Sequence, residues 1–173
     1  MDPPEVDLRE TVEEAVPVLL EFSESLAGRC PAPGKWSAKE ILGHLIDSAS
    51  NNHQRFVRVQ FTDDLVFSGY DQEAWVERQR YRETPWEELV LFWRSYNLHL
   101  ARVMAGIPPE VRRALRRTHN LDAIAWRVVP AEEPVTLEYF LADYVGHMKH
   151  HLRQILRTSG REPRGRVAEG AQD

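Results

Sequence analysis

An all-α four-helix bundle is the fold this sequence predicts, on three observations. Four long segments repeat apolar residues at steps of three and four, the period of one buried helical face. Their ends carry helix start and stop signals, among them a Ser37 to Glu40 capping box. Two sizeable connections join them, one of which crosses over between helices two and three.

The first helix runs from Leu8 to about Ala27, with Val12, Ala15, Val16, Leu19 and Leu20 on its stripe. Pro17 removes one backbone donor within it and predicts a kink. Gly28 to Lys35 is a loop holding Cys30, Pro31, Pro33 and Gly34. Trp36 then precedes Ser37, which opens a second helix running to about Phe61. Ile41, Leu42, Leu45, Ile46, Ala49, Phe56 and Val59 form its stripe.

The crossover from Thr62 to Thr84 contains room for a short helix near Gln72 to Arg80, and connections of this length often build a pocket wall. Thr84 is the expected cap of the third helix, with Pro85 at its first position and Glu87 and Glu88 facing the positive helix end. Leu89, Val90, Trp93, Tyr96, Leu100, Val103 and Met104 supply its stripe, and Gly106 and Pro108 stop it. Pro109 to Arg117 allow a further short helix, and Thr118 to Pro134 read as extended or looped. The fourth helix spans Thr136 to Arg157, with Leu137, Leu141, Tyr144, Val145, Met148, Leu152 and Ile155 buried. Residues 1–160 thus form a single domain, and residues 161–173 a flexible polar tail.

The 173-residue length is enough for one core without staples. A net charge of −5 argues against nucleic acid, and Arg112, Arg113, Arg116 and Arg117 read as a solvated helical face. The single cysteine excludes an intramolecular disulfide and a multi-cysteine metal site. No apolar run reaches membrane-spanning length and the N-terminus lacks signal-peptide features, so the expected location is cytoplasmic.

Chemistry concentrates on two helices. His147 and His151 lie four residues apart on one flank of the last helix, a spacing that can place two imidazole nitrogens about one ion. His150 lies nearly opposite the stripe's centre and should face solvent. His44 sits on the edge of the second helix's stripe, with Asn51 and Arg55 on nearly the same line, whereas His53 projects to the other side. Bundles build metal sites between facing helices, and three imidazoles with an open position match catalytic stoichiometry. The competing reading is three half-buried histidines, each bonded to a neighbour. A serine or cysteine nucleophile has little support, because Cys30 has no nearby histidine and no nucleophile elbow occurs.

Trp36-Ser37, His44-Leu45, Asp47-Ser48, Asn51, Arg55-Phe56, His147, His150-His151 and Ile155 together carry a resemblance over about residues 8–158. The sequence resembles the DinB-like superfamily of four-helix-bundle metalloproteins, and within it the YfiT type of metal-dependent hydrolase. The resemblance implies a divalent metal held by His44, His147 and His151, and it excludes His150. Zinc and nickel both suit imidazole ligands. Water on such an ion would be acidified and could serve as nucleophile, or a low-molecular-weight thiol could take its place, since DinB-like relatives include thiol-dependent S-transferases.

The implied partner is a small-molecule substrate, with room left for a homodimer. The alternative is a bundle that binds metal, ligand or its own copy without turnover. Asp47, Asp143 and Gln154 lie within a turn of a ligand and could each orient an imidazole, or be solvated polar residues. Arg55 could bind a substrate carboxylate in bidentate fashion, or form a surface salt bridge.

Overall fold

The computed structural model describes residues 2–158. The polar tail expected over 161–173, and the domain end expected at 160, lie outside the described residues.

The four long helices are present: α1 (Pro4–Leu20), α3 (Ala38–Arg58), α5 (Trp86–Ala105) and α8 (Leu137–Thr158). Packing runs from α1 to α5, α5 to α3, α3 to α8 and back to α1. Long helices consecutive in sequence therefore do not always sit side by side: α1 and α3 occupy opposite corners, as do α5 and α8. Two of the three connections therefore run diagonally, and short elements occupy all three: α2 (Glu24–Gly28), α4 (Gln72–Gln79), α6 (Pro109–Arg113) and α7 (Leu121–Ile124). Two short strands, β1 (Leu115–Arg116) and β2 (Val135–Thr136), pair antiparallel, with Leu115 opposite Thr136.

The expected first helix is divided. α1 continues through Pro17 and ends at Leu20, and Ser23 accepts a hydrogen bond from the Leu26 N–H to start α2. The turn places Phe22 against Trp86, ring centroids 5.9 Å apart, while Trp86 Nε1 donates to the Leu19 carbonyl at 2.7 Å. The capping box of α3 forms as expected, with Ser37 N donating to Glu40 Oε2 at 2.8 Å. α5 differs: Pro85 rather than Thr84 is its N-cap and makes no side-chain cap. The Trp86 N–H is satisfied instead from a distance, by the Glu24 carboxylate at 2.9 Å. The same carboxylate receives the buried Lys39 ammonium, which also donates to the Thr84 carbonyl at 2.7 Å. α2, α3 and the entry to α5 are joined at one point.

The arginine cluster is not a solvated face. Arg112 bonds the Glu5 and Glu138 carboxylates at 2.8 and 2.5 Å, tying α6 to α1 and α8. Arg116 is buried and donates to the Thr62 carbonyl, while Arg113 and Arg117 are exposed. α6 ends at Arg113, so the four residues do not share one helix.

The two crossovers are stitched to one another. Leu65 N donates to the Thr118 carbonyl at 3.0 Å and Asn120 N to the Leu65 carbonyl at 3.3 Å. The Asn120 side chain then closes a two-way pair with Phe67, accepting from its N–H at 3.0 Å and donating to its carbonyl at 2.8 Å. This seam forms a wall beside α3 and α8. Among the described residues, no helix is long and apolar enough to cross a membrane.

Candidate metal centre

α3 and α8 run antiparallel, and their interface changes character along its length. Near the C-terminal end of α3, Phe56 packs edge-on against Phe140 and Tyr144, with centroids 5.8 Å away in each case. Toward the N-terminal end the facing positions carry His44, His147 and His151. Ile41 and Leu45 bury this part of α3, so His44 has no solvent exposure at all.

One ring nitrogen from each of the three histidines lies within 4.8 Å of the others. His44 Nε2 and His147 Nε2 are 3.2 Å apart. Ligand nitrogens about 2.0–2.1 Å from a tetrahedral ion would stand roughly 3.3 Å from one another, so this pair is already spaced for shared ligation. Burial pushes the His44 imidazole down to about 4, with His151 adding to the shift. Burial also lowers His147 and His151. Three neutral imidazoles are the form that ligates a metal.

The second nitrogens differ. His151 Nδ1 bonds Gln154 Oε1 at 2.8 Å, which assigns the proton to Nδ1 and leaves Nε2 with its lone pair. Gln154, on the next turn of α8, contacts both His151 and His150. His44 Nδ1 is buried without a hydrogen-bond partner, and the Trp36 ring lies 5.4 Å from the His44 ring.

The remaining candidates are placed otherwise. Asp47 is buried, and its Oδ1 accepts from Tyr81 Oη at 2.6 Å and Gln79 Nε2 at 2.9 Å; Oδ2 has no partner. Its contacts anchor the end of the first crossover, not an imidazole. Burial raises its carboxyl above the ordinary range, against the pull of these two donors. Asp143 accepts the N–H groups of Trp126 and Arg127, both at 2.8 Å, and so clips the second crossover to α8. Asn51 turns back to the Asp47 carbonyl of its own helix at 2.9 Å. Arg55 lines a cavity shared with His147 and His151.

That cavity has a volume of about 310 Å³, lined by Ser48, Asn52 and Arg55 of α3, Tyr70 of the first crossover, Trp126 of the second, and the α8 face. His150 lines it too, contrary to the expectation that it faces solvent. Its Nε2 accepts from Gln154 Nε2 at 3.0 Å, and its ring lies 5.6 Å from that of Trp126. The second crossover wraps this flank of α8 and covers a side that helix periodicity alone would leave to water. His53, as expected, lies elsewhere, beside Tyr96 and His99.

Tyr70, Trp126 and Asn52 were not singled out from sequence, and Ser48 only as part of the Asp47-Ser48 pair. Glycines in helix interiors gave the available signal, since each costs about 1 kcal/mol relative to alanine and calls for a packing reason. A Cβ on Gly43 would stand 2.1 Å from the Tyr81 ring, and one on Gly146 would stand 3.0 Å from the Trp126 ring. Both mark where a crossover residue presses onto a bundle helix.

A four-helix bundle with three convergent imidazoles between two facing helices defines a class of metal-site proteins. The chain belongs to the DinB superfamily, whose family model matches residues 7–155. It is 26% identical over 130 residues to the Bacillus subtilis (strain 168) protein named "Putative metal-dependent hydrolase YfiT", an alignment covering 74% of this chain and 66% of that protein, just under two thirds. The solved structure of YfiT from Bacillus subtilis superposes with a TM-score of 0.72 at 18% identity, over 92% of this chain and 87% of that one. That structure is described as having an unusual four-helix bundle topology, in keeping with the diagonal connections seen here.

Proposed function

We propose that this protein is a metal-dependent hydrolase of small molecules, using a divalent ion held by His44, His147 and His151. The observation that carries this is the convergence of three ring nitrogens within 4.8 Å, two of them on His147 and His151, which line a cavity of about 310 Å³. The name of the Bacillus subtilis relative, "Putative metal-dependent hydrolase YfiT", supports the same reading.

An ion in this position would supply Lewis acidity toward a substrate carbonyl and toward water. The chain's own groups do the remainder. Gln154 fixes the His151 ring by taking its Nδ1 proton in a hydrogen bond. Trp126, held by Asp143 and accommodated by Gly146, closes one side of the cavity against bulk water. Tyr70, whose phenol burial pushes up to about 12, stays protonated and serves as a hydrogen-bond donor beside Ser48.

The test is titration of metal-stripped protein with zinc and with nickel, followed by elemental analysis and a panel of small esters and amides. Close to one ion per chain and ion-dependent hydrolysis are expected. Failure to retain either ion would end this reading. Turnover appearing only with an added low-molecular-weight thiol would place the protein among S-transferases instead.

A further inference from the structure

The cavity contains a charge that the bundle does not balance. Arg55 projects into it from α3, and burial lowers its guanidinium from the ordinary value. Its Nη2 donates to the Ser68 carbonyl at 2.8 Å and its Nη1 lies 3.4 Å from Asn52 Oδ1. Both partners are neutral, as is the Phe67 ring, whose centroid lies 5.7 Å from the guanidinium carbon. Among the described residues no carboxylate forms an ion pair with Arg55. The acidic residue lining the same cavity, Asp143, has both oxygens engaged by backbone N–H groups. Arg55 is partly buried, and a partly buried cation without a counterion is suited to a ligand that supplies the opposite charge.

Position and size narrow that ligand. Arg55 is eleven residues beyond His44 on α3, about three turns or 16 Å of helix axis. Ser48 and Asn52 line the cavity between them. The reach of the two side chains shortens the gap, so the ligand's charge and its reacting group are closer together than that axial rise. Phe140 and Tyr144 provide an aromatic wall in between. Away from the histidines, one guanidinium, that of Arg55, lines the cavity. A phosphate monoester carries about −1.5 to −2 and would be under-neutralised, whereas a carboxylate matches one planar fork.

We propose that the substrate is a small carboxylate, its anionic end held by Arg55 and a flat apolar spacer lying against Phe140 and Tyr144, its scissile group toward the histidines. This rests on the hydrolase reading for the scissile group only; the anion subsite stands on Arg55 and the cavity.

The probes are 4-acetamidobenzoate and its neutral counterpart 4-acetamidobenzamide, titrated calorimetrically into zinc-loaded wild type, Arg55→Gln and Arg55→Lys. Zinc content and thermal unfolding are measured on the same samples, to keep folding separate from recognition. Wild type should prefer the carboxylate by about tenfold or more, the scale of a charge-assisted hydrogen-bonded pair. Arg55→Gln should abolish the preference and Arg55→Lys should weaken it several-fold, with zinc content unchanged in both. Equal affinity for the two probes, no binding of the carboxylate, or indifference to Arg55→Gln would overturn the proposal. Tighter binding of inorganic phosphate than of 4-acetamidobenzoate would overturn its carboxylate class. If the protein takes up no zinc but still binds the carboxylate through Arg55, the subsite is upheld and the metal reading falls.

Discussion

The α1–α5 seam and the α3–α8 seam belong to one bundle but are built for opposite ends. Along the first, Leu8, Val12, Leu19, Trp86, Leu89, Val90 and Trp93 are almost wholly buried, and Trp86 reaches back to satisfy the Leu19 carbonyl. Along the second, His44, Ser48 and Asn52 are comparably buried, so polar side chains stand where the first has apolar ones, and His44 Nδ1 lacks a partner, as Trp93 Nε1 does on the first. Buried polar atoms without partners oppose folding, by about 1–3 kcal/mol each. The dry seam supplies the stability that lets the wet seam carry reactive groups in fixed positions.

Substitutions on the two sides should therefore separate binding from stability. The largest contrast is expected from His147→Ala and His151→Ala, each of which should remove most of the bound ion, whereas His150→Ala should leave occupancy intact. Elemental analysis of the purified variants decides it, and equal loss in all three would show that the three-histidine assignment is wrong. Leu8→Ala, on the dry side, should lower the unfolding free energy by about 2–5 kcal/mol in denaturant titrations without altering the zinc stoichiometry of the folded protein.

Gly43→Ala lies between the two effects. The new methyl would meet the Tyr81 ring, which must move and take its hydroxyl from Asp47. A loss of about 1–3 kcal/mol is expected, read by thermal melts. Gln154→Ala should be the gentlest change: the fold is retained, and zinc affinity falls by about 10–100-fold as the His151 ring loses its orienting bond. Competition with a chelator of known affinity measures this, and an unchanged affinity would leave Gln154 without a role at the centre.

Local signals were legible in the sequence. The Ser37–Glu40 box, the apolar stripes and the four-residue spacing of His147 and His151 each depend on neighbours within one or two turns, and each formed as read. What stayed hidden depends on contacts far apart in the chain. Asp47 and Asp143 sit beside histidines in sequence, but one is drawn to Tyr81 and Gln79 and the other to the backbone of Trp126 and Arg127. The periodicity that placed His150 in solvent is correct for an isolated helix and fails once the second crossover covers that flank. Arg112 and Arg116 were misread for the same reason, their partners being Glu5, Glu138 and the Thr62 carbonyl.

Two of the donors, His44 and His147, are separated by 103 residues along the chain. In an unfolded chain His147 and His151 stay near one another, but His44 is free to be anywhere within that long loop. An ion that needs all three nitrogens therefore meets its full site only after the bundle has closed, late on the folding path. Its effect would fall on the unfolding rate rather than the folding rate. Metal uptake in this architecture would then work as a latch, prolonging the lifetime of a native state that the apolar seams have already assembled.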